Sequence, residues 1–95
     1  MDRFAVVGLG RFGSRLAKNL AAAGAEVIAI DRDRRIVEEV RDQVTLAIAL
    51  DATDEQALRL QGVDQVDCAV VGIGNNFEAN ALATVLLKSL RVQRV

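Results

Sequence analysis

A chain of 95 residues has room for one domain with a modest core, and its 52% hydrophobic and 26% charged content sets it apart from disordered sequences. Twelve basic and thirteen acidic side chains nearly cancel to a net charge of −1, which argues against a surface shaped for nucleic acid. Cys68 is the sole cysteine, which excludes an internal disulfide and favours a reducing compartment; with no leader-like segment and no apolar run near the ~20 residues that span a bilayer, membrane association is expected only through a partner.

Phe4-Ala5-Val6-Val7 opens the chain as a predicted strand, followed by a glycine-rich turn and a helix over residues 11–23, where Gly24 supplies the left-handed stop. Val27-Ile28-Ala29-Ile30 is the second strand, ending at Asp31 and leading into a helix over 33–42. Residues 45–50 form the third strand, then Asp51-Ala52-Thr53 and a helix over 54–61 that Thr53 and Gln56 are expected to cap as a capping box, with Gly62 ending it. Cys68-Ala69-Val70-Val71 is the fourth strand, and Gly72-Ile73-Gly74-Asn75-Asn76 links it to a helix over 76–90 capped by Asn75 or Asn76 with Glu78. All four strands are almost continuously apolar, as parallel strands covered on both faces are. Strand–helix alternation of this kind gives an α/β fold, a Rossmann-like doubly wound parallel sheet, and residues 91–95 read as the approach to a fifth strand. The sequence thus reads as a single nucleotide-binding domain over 1–95, truncated after about four strands.

Gly8-Leu9-Gly10-Arg11-Phe12-Gly13 matches G-x-G-x-x-G where the mechanism needs it, after a strand and opening a helix. Gly8 permits the tight turn, Gly10 lets a pyrophosphate approach the backbone, and Gly13 lets helix and strand pack closely. The free N–H groups and positive end of the helix then face phosphate. Asp31, 18 positions after Gly13, stands where a carboxylate accepts both ribose hydroxyls and repels a 2′-phosphate, so NAD(H) or ATP/ADP is expected over NADP(H). Arg32 beside it can soften that choice, and Asp31 also suits a turn or cap before the next helix.

Arg11 reads either as a phosphate ligand, reaching as far as a γ-phosphate, or as a solvated first-turn arginine. Asp51 stands at the same carboxyl edge and is open to an adenine-side role, Thr53 being more simply a cap. Gly72 and Gly74 follow the fourth strand at the topological switch point, where the backbone can meet the outer part of a nucleotide or simply turn. Cys68, Phe12 and Phe77 are expected to pack in the interior. The helix over 76–90 carries one narrow polar stripe, Asn80, Thr84, Lys88 and Arg91; its surplus apolar surface implies a second contact.

The run from Phe4 to Gly13 resembles the opening of RCK N-terminal domains, also called KTN or TrkA-N domains, the cytosolic regulatory modules of potassium channels and Ktr/Trk-type transporters. The likeness continues through Val27 to Asp31, Ala49-Leu50-Asp51-Ala52-Thr53-Asp54 and Cys68 to Asn80, and so spans nearly the whole chain. It implies a regulatory domain that binds NAD(H) or ATP/ADP, forms homodimers or larger rings through the 76–90 helix, and passes nucleotide state to a membrane pore subunit from the cytoplasmic side. By the same resemblance Arg11, with Phe12 beside it, senses the terminal phosphate, Asp31 holds the ribose, and Asp51, Ala52 and Thr53 line the adenine side. The competing class is the cofactor half of an NAD-dependent dehydrogenase, which the absence of His and Tyr disfavours. A decayed, purely interacting module is disfavoured by the intact glycines and Asp31.

Overall fold

The computed structural model describes residues 2–72 and Thr84. Runs of Val, Ile and Ala form β1 (Arg3–Val7), β2 (Glu26–Asp31), β3 (Leu46–Ala49) and β4 (Cys68–Val71), all parallel, in the order β3-β2-β1-β4. The chain steps outward from β1 to β3 and then returns to the other side of β1. The reversal lies between β1 and β4, so the crevice at their carboxyl ends is the topological switch point of the sheet.

The helices α1 (Arg11–Ala22), α2 (Arg34–Val40) and α3 (Glu55–Leu60) complete the connections, with short 3-10 turns at Arg41–Gln43 and Val63–Gln65. Because successive strand side chains point to opposite faces, β1 feeds two cores at once. Ala5 and Val7 join Ile30, Leu58, Val63 and Ala69 on one face, under α3. Val6 joins Val27, Ala29, Ala17, Val37 and Val40 on the other, under α1 and α2. Each large side chain buried this way contributes about 1.5–3 kcal/mol. Among the described residues no helix is long and apolar enough to cross a membrane.

The elements fall where the sequence places them, with local differences. Residues 41–42 belong to a 3-10 turn rather than to the second helix. Thr45 lies outside β3 because its hydroxyl, not its backbone, takes the Val27 N–H at 3.0 Å. Gly24 and Gly62 both adopt positive φ just beyond the ends of α1 and α3, as expected of helix stops. The cap of α3 is Asp54, whose carboxylate accepts from Ala57 N–H at 3.1 Å; the expected Thr53–Gln56 capping box does not form, since the Thr53 hydroxyl is taken by Asp51. Phe12 is corrected as well: it is 72% exposed instead of packed. Cys68 is half-buried and outside both cores. The expected 76–90 helix, its caps, Phe77, Gly74 and the start of a fifth strand lie outside the described residues, apart from Thr84, which is helical.

Where β1 hands over to α1, a Cβ on Gly13 would overlap the carbonyl oxygen of Gly8. Gly10 has extended backbone and open space around the Cβ position. Urea denaturation should therefore show Gly13→Ala losing about 3 kcal/mol or more, and Gly10→Ala no more than about 1 kcal/mol. Equal losses would contradict this geometry.

Candidate functional site

The β1–β2 ladder runs one residue past the strand, with Gly8 N–H donating to Ile30 O at 2.8 Å. Gly8 then turns with φ near +99°, a conformation costly for any residue with a Cβ. This reversal drops Leu9 into the core, 2% exposed, and brings Gly10 to the surface. Both polar backbone groups of Leu9 are held by side chains. Its N–H donates to Asp31 Oδ2 at 2.8 Å, and its carbonyl accepts from Ser14 Oγ at 2.8 Å.

Gly10 is the N-cap of α1 and offers no capping side chain, and the first turn of α1 holds no acidic residue. The positive end of this twelve-residue helix therefore has neither a capping side chain at Gly10 nor an acid in its own first turn. Among the described residues, nothing stands within 4 Å of where a Cβ on Gly10 or on Gly72 would be. Gly72 sits beside the loop, because its N–H donates to Val7 O at 2.8 Å. Such a cradle fits a phosphate group, an anion needing donors and close approach.

Asp31 ends β2 against this loop. Besides Leu9, its carboxylate accepts from Asp33 N–H through Oδ1 at 2.8 Å, and Asp33 in turn caps α2 by accepting from Arg35 N–H at 2.9 Å. The turn role weighed for Asp31 is thus real, while the cap itself falls to Asp33. A carboxylate offers about four acceptor sites, so two such bonds leave capacity for ribose hydroxyls.

Farther along the edge, Asp51 Oδ1 accepts from Thr53 N–H at 2.9 Å and from Thr53 Oγ1 at 2.6 Å. The Thr53 hydroxyl first, then its N–H, with a smaller contribution from the charge of Arg32, hold the Asp51 carboxyl below its ordinary value. Ala52 is 5% exposed and belongs to a core. Arg11 is exposed and lines, with Ser14, Arg15, Lys18 and Asn19, an open depression of about 260 Å³ on the flank of α1. Sequence reading missed Ser14, Arg15 and Lys18; the basic residues repeat at helical spacing from Arg11, which is the signal that reveals them. Among the described residues no cluster of three His, Cys, Asp or Glu side chains could hold a metal ion.

The family model described as the TrkA-N domain matches residues 4–95. The chain belongs to the TrkA-N family. The resemblance seen in the glycine loop and strand ends is thereby borne out. This TrkA-N chain is 41% identical over 92 residues to "Ktr system potassium uptake protein C" of Bacillus subtilis, covering 97% of the chain and 42% of that protein. It is 38% identical to "Ktr system potassium uptake protein A" of the same organism, covering 98% of the chain and 42% of that protein. The chain thus spans about two fifths of the length of these relatives. A solved structure from Archaeoglobus fulgidus, the NAD(P)-binding domain of an exopolyphosphatase-related protein, superposes with a TM-score of 0.81 at 28% identity, over 95% of this chain and 67% of that one.

The lowered Asp51 carboxyl gives a sign for pH dependence. Its small contribution to stability is present above the ordinary aspartate range and is lost as pH falls through the lowered folded value. In an NMR titration Asp51 should show a midpoint below that of an unstructured aspartate, and Thr53→Val should move it upward. An unmoved midpoint would remove the hydroxyl as its cause.

Proposed function

We propose that this TrkA-N chain is the nucleotide-sensing regulatory domain of a potassium uptake system or channel. It takes NAD(H) or ATP/ADP at the loop of residues 8–13 and passes nucleotide state to a membrane pore subunit, working at the cytoplasmic face through that partner. The observation that carries the reading is the cradle at Gly10: an uncapped helix start with open space above it, directly beside the Asp31 carboxylate. The potassium side rests on the Ktr relatives, which are named as uptake proteins.

In this reading Gly8, Gly10 and Gly13 shape the phosphate site, Asp31 accepts the ribose hydroxyls, and Arg11 with Phe12 beside it meets the outer phosphates. Asp51, Thr53 and the Ala52 backbone line the adenine side near Arg32, and Gly72, with Gly74 beyond the described residues, borders the rest of the ligand. The exposed Phe12 suits a residue that contacts a ligand or a second subunit. Assembly into homodimers or larger rings runs through the 76–90 helix. Signalling requires that two nucleotide states bind two assembly geometries unequally, since equal binding shifts nothing.

The reading assigns no reaction to the chain. Hydride chemistry needs a proton-transfer partner, and the sequence contains neither His nor Tyr. Gly10→Ala, which leaves the fold nearly unchanged, should abolish phosphate-bearing ligands by filling the cradle.

Calorimetric titration with NADH, NADPH, ATP and ADP tests the proposal. NADPH should bind more weakly than NADH, and equal affinity would sink the role given to Asp31. Arg11→Ala should weaken ATP about tenfold more than ADP, the order of a charge-assisted phosphate contact. An equal effect on both would remove Arg11 as a terminal-phosphate sensor. Light scattering should show association at high concentration; a strictly monomeric chain would contradict assembly through the 76–90 helix.

A further inference from the structure

The geometry points to Ser14 and Asp31 as a two-sided clamp on Leu9 that aims the Gly10 N–H into the phosphate cradle before any ligand arrives. This deepens the nucleotide reading and rests on it for the identity of the ligand, inorganic or nucleotide-borne phosphate. In a trans peptide the C=O and the following N–H point in opposite directions. Ser14 Oγ draws the Leu9 carbonyl toward α1, so the N–H of Gly10 on the same peptide is turned away from the helix. That N–H meets no acceptor among the described residues, and Gly10 itself is exposed with open space beside it.

The preceding peptide is set by the same logic. Asp31 Oδ2 takes the Leu9 N–H, so the Gly8 carbonyl points the other way, into the space that a side chain on Gly13 would fill. The requirement for glycine at 13 is thus a consequence of the bond to Asp31. Both clamping side chains are half-buried, whereas the Leu9 side chain is fully seated in the core, so the peptide between them has little freedom. Ser14 is a positioning residue: it touches Leu9 rather than the ligand, and it works by orienting a donor. Asp31 holds the loop in addition to facing the ribose. Its two oxygens each accept from a backbone N–H, so an asparagine at this position satisfies only one of them and turns an NH₂ toward the other.

Two probes separate these roles: inorganic pyrophosphate, which has no ribose, and adenosine, which has no phosphate. Ser14→Ala should weaken pyrophosphate binding about tenfold, a typical effect of one misdirected hydrogen bond, and leave adenosine unchanged. Ser14→Thr, which keeps the hydroxyl, should restore pyrophosphate to within about threefold. Asp31→Asn should weaken both probes, whereas a ribose contact alone would spare pyrophosphate. Undiminished pyrophosphate binding by Ser14→Ala would overturn the clamp. Amide exchange of the ligand-free chain tests it without any ligand: the Leu9 N–H should exchange about tenfold faster in Asp31→Asn, with β1 protection retained. A scalar coupling across the hydrogen bond from Leu9 N to the Asp31 carboxyl carbon should be present in the unsubstituted chain, and its absence overturns the clamp even if a variant fails to fold. If the unsubstituted chain binds neither probe, nor NADH or ATP, the nucleotide reading falls, while the exchange and coupling still decide the clamp.

Discussion

The carbonyl oxygen of Gly8 stands where any side chain at position 13 would have to go, and this contact fixes the distance between β1 and α1. Much else follows from that approach. A helix set so close to its strand starts at the sheet's carboxyl edge, where its first N–H groups have no partner within the helix. The small residues Gly13 and Ala17 form the buried line of α1, and the bulkier neighbours of that line reach only partial cover. Close packing at Gly13 and the exposed turn at Gly10 are therefore two results of one backbone arrangement.

The carboxyl edge is also unusual in how it uses its acids. Asp31, Asp33, Asp51 and Asp54 each accept from a backbone N–H within three residues, closing turns or helix starts. Only Asp31 reaches beyond its own neighbourhood, to a loop 22 positions earlier. The same edge thus carries carboxylates committed to holding turns and one that links two elements. Under the proposed nucleotide reading, that link is what lets binding at one point be felt at another.

Most of the fold was legible because its signals are local. The four strands are short apolar runs, and the helix ends are marked by Gly24 and Gly62, whose positive φ the structure shows. The positions of Gly8, Gly10, Gly13 and Asp31 were legible from spacing alone, since a βαβ unit fixes how many residues separate its first turn from the end of its second strand. Elsewhere, neighbouring residues compete. Thr53 and Asp54 are both good caps, and the choice depends on Asp51 taking the Thr53 hydroxyl, which only the folded turn decides. Phe12 looks like a core residue by type, yet α1 meets the sheet along Gly13 and Ala17, and its first turn leaves the ring outside. The bond from Ser14 to Leu9 has no sequence signature, because it joins a helix side chain to a loop carbonyl that only the folded turn brings within reach.

β1 ties the two faces of the sheet together. Its alternating side chains belong to both hydrophobic clusters, and it is hydrogen-bonded on both edges, to β2 and to β4. Neither face of the sheet can lose its packing without disturbing the strand that the other face also depends on. The two cores are therefore mechanically one, and the domain should come apart in a single cooperative step, not one layer at a time. A disturbance of the loop that extends from the end of β1 therefore has direct access to both layers.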